Sequence, residues 1–244
     1  MKHIVITGAN SGIGMALTQA YLAEGYKVTA CGRSQEKLAA VLGTNNPNLH
    51  FCTFDLSNRD EVMTNTAQMP AIDIVILNAG TCEYIDNPQQ FDSLLFARVI
   101  QTNVMGTGFC LEAMLPKIKP GGQLAIVSSS VTVLPLTRAE AYGASKAALD
   151  YLTRALAIDL APNKIDVSLI RPGFVDTPLT QKNNFAMPGV LSCDQASRII
   201  LKGIQKRKQE INFPRGFFYT MRCLSWLPNT LWRRIAIKMI RLEK

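Results

Sequence analysis

The chain has 244 residues, of which 48% are hydrophobic and 18% charged. That length and apolar content suit one substantial core and exclude a disordered chain. The net charge of +8 is uneven: residues 1–201 carry 15 Lys and Arg against 16 Asp and Glu, and residues 202–244 carry 11 against 2. An argument from charge to an anionic partner therefore applies only to the C-terminal segment.

Met1-Lys2-His3 runs directly into Ile4-Val5-Ile6, so no signal peptide is expected. No run reaches the ~18 uninterrupted apolar residues expected of a membrane span. The six cysteines are scattered without a C-x-x-C pair, and His3 and His50 lie far apart. No metal site is expected, and the plain expectation is a cytoplasmic protein with reduced thiols.

In chain order, apolar runs at 4–7, 27–31, 49–53, 72–77, 124–128 and 165–170 predict strands covered on both faces. Helical patterns near 12–24, 35–43, 58–67, 90–118 and 141–161 alternate with them. A helix near 192–208 and a short strand Glu210–Phe213 complete the series. Alternation of this kind predicts a single α/β domain with a Rossmann-type, doubly wound parallel sheet. Residues 1–212 form that domain, and 213–244 read as a basic aromatic C-terminal extension.

The first strand ends in Thr7-Gly8-Ala9-Asn10-Ser11-Gly12-Ile13-Gly14 and opens a helix. Glycines allow a tight turn and close approach of backbone to a pyrophosphate, and the helix N-terminus offers free N–H groups. A dinucleotide is the expected occupant. The second strand ends Ala30-Cys31-Gly32-Arg33. An NAD(H) site would normally place Asp or Glu there. Gly32 followed by Arg33 suits a 2′-phosphate, so NADP(H) is expected over NAD(H), with Arg33 as a solvated surface charge the other reading.

Further along stands Tyr142-Gly143-Ala144-Ser145-Lys146, with Ser129 thirteen residues upstream. A free phenol titrates near ~10 and is a poor base at neutral pH. A lysine one helical turn later lies on the same face, and its charge would lower that value. A serine hydroxyl beside them can hold a carbonyl or alcohol oxygen while the tyrosine passes the proton.

Together these motifs resemble the short-chain dehydrogenase/reductase family over about residues 3–178. The resemblance also rests on Asp55-Leu56, Asn78-Ala79-Gly80, Asn103 and Pro172-Gly173 leading to Thr177. It implies that Tyr142 is the catalytic acid/base and that Ser129 hydrogen-bonds the substrate oxygen. Lys146 would depress the Tyr142 pKa and bind nicotinamide ribose hydroxyls. Asn103 would help hold a proton-relay water through its backbone. The resemblance further implies that Asp55 and Leu56 contact adenine, and that Asn78, Ala79 and Gly80 line the adenosine and ribose stretch. Pro172, Gly173, Val175 and Thr177 would lie at the nicotinamide. Gly8, Asn10, Ser11, Gly12, Ile13 and Gly14 would cradle the phosphates. Other roles are also open: Asn78-Ala79-Gly80 as a strand-end turn, Asn103 as a helix irregularity, Thr7 as a loop anchor. A non-catalytic NADP-binding regulator or scaffold is the rival to an oxidoreductase. Related chains lead to the expectation of a homo-oligomer.

The loop 176–192 contributes Leu179, Phe185, Met187, Pro188, Val190 and Leu191, and the segment after Ser129 adds Val131, Val133 and Leu134. Such a lining suits a lipophilic ketone, aldehyde or secondary alcohol, or else closes the core under a lid. From Asn229, a possible N-cap, the chain predicts an amphipathic helix. Leu231, Trp232, Ile235, Ala236, Met239 and Leu242 share one side, and Arg234, Lys238 and Arg241 the other, with Arg233 at their edge. A basic helix with interfacial Trp suits peripheral contact with a membrane at the cytoplasmic face, or packing on the domain or on a second subunit. No nucleic-acid module accompanies it.

Overall fold

Strands β1 (His3–Thr7), β2 (Lys27–Gly32), β3 (Leu49–Thr53), β4 (Ile72–Leu77), β5 (Ile118–Val127), β6 (Asp166–Pro172) and β7 (Glu210–Phe213) form one parallel sheet. Their spatial order is β3-β2-β1-β4-β5-β6-β7. The computed structural model describes residues 1–183, 185 and 187–242, without the side chains of Lys182 and of residues 239–242.

Helices α1 (Gly12–Ala23), α2 (Gln35–Leu42), α3 (Arg59–Thr66), α4 (Ser93–Ile100), α5 (Gly106–Met114), α6 (Glu140–Asp159) and α7 (Cys193–Gln205) cover the two faces. β1 is buried at every position, as an apolar run without alternation requires. On one face Leu17, Tyr21, Leu38, Ile200 and Ile204 pack on Ile4, Ile6 and Ile76. On the other, Val62, Cys110, Met114 and Leu149 pack on Val5, Val75 and Ile126. The strand order reverses between β1 and β4, and that point opens a crevice at the strand C-termini.

The helix expected over 90–118 differs in detail. It runs from Ser93 to Lys117, but a π-helical turn, Gln101–Met105, separates α4 from α5. By length and composition this stretch could cross a membrane, with a mean hydropathy of 1.2. In the fold α4 packs on α6 and α5 on α3, and Val99, Cys110 and Met114 are core residues.

The C-terminal segment forms α8 (Arg215–Leu224) and α9 (Asn229–Leu242). α8 was not anticipated from sequence, although it is amphipathic, with Phe218 and Met221 buried and Arg215, Tyr219 and Arg222 exposed. α9 begins where expected, but the carbonyl of Pro228 accepts its first N–H bonds, from Leu231 and Trp232, so Asn229 is not the cap. Phe218 is buried, Met221 and Trp232 pack inward with Leu134, and Trp232 Nε1 donates to the Pro135 carbonyl at 3.0 Å. The expected apolar side of α9 is therefore met at Trp232, Ile235 and Ala236. Leu231 is instead 43% exposed. The side chains of Met239, Arg241 and Leu242 lie outside the described residues.

Candidate active site

β1 delivers its glycine loop to the crevice. Gly8 and Gly12 have φ of 69° and 54°, a left-handed conformation that favours glycine. A Cβ on Gly14 would lie 2.2 Å from the Gly8 carbonyl oxygen, so α1 can start this close to the loop only without a side chain there. Ser11 precedes α1 and makes no side-chain capping bond, and the first turn has no acidic residue. By contrast, Ser34, Asn58, Asp92 and Ser192 cap α2, α3, α4 and α7 with their own side chains. The start of α1 thus presents free N–H groups and the positive end of its dipole to the cleft.

That cleft has a volume of about 1030 Å³. Every cofactor position expected from sequence lines it except Gly14, which lies behind the loop and acts through packing. At the β2 end, Arg33 is exposed and faces Asp55 and Ser57. Asp55 Oδ1 accepts from the Ser57 N–H at 2.8 Å and the Ser57 hydroxyl at 2.6 Å. These bonds hold its carboxyl below the usual range, and the Arg33 charge adds to them. Leu56 is buried against Gly106. The Thr7 hydroxyl accepts from the N–H groups of Asn78 and Ala79, both at 3.0 Å, and Asn78 Nδ2 donates to the Thr7 carbonyl at 3.0 Å. Asn78 therefore both lines the cleft and ties β4 to the glycine loop. The Thr177 methyl would lie 3.0 Å from a Cβ on Gly12, while its hydroxyl is engaged with Thr180. Thr177 thus overhangs the glycine loop.

Ser129 leaves the end of β5, and α6 brings Tyr142 and Lys146 opposite it. The Ser129–Tyr142 hydroxyl contact favours the phenolate, but burial outweighs it, and the Cys82 thiol adds to the upward push on the phenol. This corrects the expectation that Lys146 holds the phenol down. Its Nζ sits 5.7 Å from the ring centroid and donates to the Val127 carbonyl at 2.9 Å. Burial lowers Lys146 to about 8, partly opposed by the charges of Cys82 and Asp150. A phenol that keeps its proton at neutral pH is equipped as a donor.

Asn103 sits in the π-helical turn, fully buried, and does not line the cleft. Its Oδ1 accepts from the Thr81 N–H at 2.7 Å, and its Nδ2 donates to the Thr81 carbonyl and the Ser145 hydroxyl, both at 2.9 Å. Its side chain therefore positions the strand-end loop against α6, and its backbone carbonyl, expected to help hold a water, accepts from the Thr107 hydroxyl at 2.7 Å. Ser128 borders only this cleft and Ser130 only the cavity beside it, whereas Ser129 borders both. Ser128 is buried, bonded to Asp150 at 2.5 Å, and Ser130 is also buried. Asp150 in turn pairs with the buried Arg171 at 2.8 Å. Sequence reading missed this ion pair because its partners are 21 residues apart on different elements.

A family model for short chain dehydrogenases matches residues 2–187. The chain belongs to the short-chain dehydrogenase family. A Myxococcus xanthus protein named as an uncharacterized oxidoreductase is 30% identical over 247 residues, covering 98% of this chain and 97% of its own. A 3beta-hydroxysteroid dehydrogenase of Mediterraneibacter gnavus is 32% identical over 191 residues, 75% of this chain and 69% of its own. Among solved structures, a serine dehydrogenase complexed with NADP+ superposes with a TM-score of 0.76 at 25% identity, over 86% of this chain and 94% of that one.

In this short-chain dehydrogenase a second cavity, of about 260 Å³, adjoins the first. Ser129 and Tyr142 line both. Of the expected substrate-side residues, Leu179, Phe185, Pro188 and Val131 line the second cavity. Val190 is exposed, Leu191 packs on the core, and Val133 and Leu134 pack against the C-terminal helices. Met187 is absent from the lining, and its sulfur accepts from Asn183. Cys82, Tyr84, Phe174, Phe217, Met221, Trp232 and Ala236 also line this cavity, though the sequence reading assigned none of them to the substrate side. Arg138 stacks over the Tyr84 ring at 5.5 Å and pairs with Asp86 at 2.6 Å. The aromatic pairs Tyr84–Phe185 and Phe174–Phe217 have centroids 5.8 and 5.5 Å apart.

Proposed function

We propose that the protein is an NADP(H)-dependent oxidoreductase that reduces a lipophilic ketone or aldehyde to an alcohol. The observation that carries this is the position of Ser129 and Tyr142 where the large cleft and the aromatic cavity meet, beside Gly173, Leu179 and Thr180. NADP(H) would lie along the large cleft. Its pyrophosphate would meet the uncapped start of α1, and its 2′-phosphate would meet Arg33. The absence of an acidic side chain at the β2 end and the glycine loop's lack of room for side chains both fit that occupant. When bound, the nicotinamide supplies the hydride to the carbonyl carbon.

The chain's own residues do the rest. Ser129 donates to the carbonyl oxygen and stabilises the negative charge that develops there. Tyr142 transfers its phenolic proton to that oxygen, so the product is a neutral alcohol. Lys146, held by the Val127 carbonyl, supplies positive charge beside Tyr142 and reaches toward the ribose stretch at Gly80. Asn103 keeps the Thr81 loop and α6 in register. The aromatic walls exclude water and favour an apolar substrate. A role limited to binding would leave this phenol without a use.

The exposed apolar residues Leu94 of α4 and Tyr151 and Ile158 of α6 support a homo-oligomer built on those helices. A cytoplasmic protein touching the cytoplasmic face of a membrane through its basic C-terminal helices completes the proposal. NADPH absorbance followed with a panel of apolar ketones and aldehydes tests the activity. Turnover with NADPH is expected. A chain that binds NADPH but oxidises it with no carbonyl of the panel would favour the non-catalytic rival.

A further inference from the structure

The outer surface of α8 and α9 is used by nothing in the catalytic site. On α8, Arg215, Tyr219 and Arg222 follow at spacings of four and three, so they share one face, and all are exposed. Trp226, in the turn that follows, is 75% exposed and Tyr219 is 62% exposed. On α9, Leu231, Arg234 and Lys238 share a second outward stripe, flanked by Arg233 and Ile237, and all five are exposed. Between Glu210 and Glu243 the chain has no acidic residue. Among the described residues, none of Arg215, Arg222, Arg233, Arg234 and Lys238 pairs with a carboxylate. These cations are thus unneutralised and interleaved with apolar side chains that water solvates poorly.

The inner side of the same helices is different. Trp232 and Ala236 of α9 and Phe217 and Met221 of α8 form a wall of the substrate cavity. One pair of helices therefore has a cationic, apolar-studded outside and an inside that touches the lipophilic pocket.

We propose that the outer face of α8 and α9 docks on an anionic lipid surface, so that the wall of the substrate cavity faces the membrane from which a lipophilic substrate comes. The proposal deepens the proposed function and rests on it for the nature of the substrate. Lys and Arg gain Coulomb energy at anionic headgroups, while Trp226 and Tyr219 suit the boundary between headgroups and acyl chains. Charge complementarity selects this occupant: a second copy would bring the same cations against each other.

The test uses the full chain with vesicles of phosphatidylcholine alone and of phosphatidylcholine mixed with anionic phosphatidylserine. Co-sedimentation is expected with the anionic vesicles only, and it should fall as salt rises. The triple variant Arg233→Gln, Arg234→Gln, Lys238→Gln should bind at least about tenfold more weakly. Trp226→Ala should weaken binding independently. Both variants should turn over a water-soluble carbonyl normally and show a raised KM only for a vesicle-borne substrate. Equal pelleting with both vesicle types, or none, would overturn the proposal. So would a triple variant that pellets like the parent. Binding of duplex DNA in place of vesicles, or a Trp226-dependent dimer that excludes them, would assign the face to another partner. Vesicle pelleting is independent of catalysis, so failure of the proposed activity and failure of the docking are read separately.

Discussion

The two cavities that meet at Ser129 and Tyr142 are built from different materials. The cofactor cleft is made of backbone: glycines at the end of β1, an uncapped helix start, and strand-end loops pinned by Thr7 and Asn103. The aromatic cavity is lined largely by side chains from the segments after β4, β5 and β6 and from α8 and α9. Backbone-built sites tolerate almost no added atoms. Side-chain walls can be recut while the chemistry behind them stays intact. The difference teaches that changes on the cleft side should cost activity with every substrate. Changes on the α8–α9 side should redistribute activity among substrates.

The largest expected effect lies where the two regions join. Tyr142→Phe should lower kcat by about 10²–10⁴ with every carbonyl, as loss of a general acid does. Ser129→Ala should cost roughly 10²–10³ in kcat, the usual effect of removing one oxyanion donor. Steady-state kinetics on one apolar ketone would measure both, and a loss confined to some substrates would break the division. On the side-chain-built wall, Trp232→Leu should shift preference toward bulkier carbonyls by about tenfold or more in kcat/KM. Its affinity for NADPH, followed by fluorescence, should not change.

A smaller effect concerns pH. Lys146 is lowered to about 8, so it is charged below that value and loses its proton as pH rises through it. If its charge assists the reaction, reduction should decline on the alkaline side with a midpoint near 8. Lys146→Arg should displace that limb to higher pH, since a guanidinium stays charged. The smallest effect expected is at Arg33. Arg33→Ala should reduce the preference for NADPH over NADH by about tenfold, the scale of one lost charge-assisted contact. The thermal shift produced by each cofactor would read this without turnover.

How much of this was legible in the sequence depends on the range of the forces involved. The strands were legible because burial on both faces leaves runs such as Ile4-Val5-Ile6. The glycine loop and the Tyr142–Lys146 spacing were legible because each is local. The roles of Asn103 and Asp150 were not, since their partners Thr81, Ser145, Ser128 and Arg171 are brought close only by the fold. The upward push on the Tyr142 phenol was missed for the same reason. A helix wheel shows the nearby lysine but not the burial that outweighs it. Trp232 was placed on the apolar side of a helix, yet its place in the wall of the second cavity needed the contact with Pro135 and Met221.

The central claim is that Tyr142 gives the proton at the wall shared by the two cavities. It is tested most directly by comparing the parent chain and Tyr142→Phe for NADPH oxidation with an apolar ketone, alongside NADPH binding by fluorescence. The account predicts equal binding and a rate lower by about 10²–10⁴ in the variant. A variant that binds NADPH and reduces the ketone at a near-parental rate would contradict it.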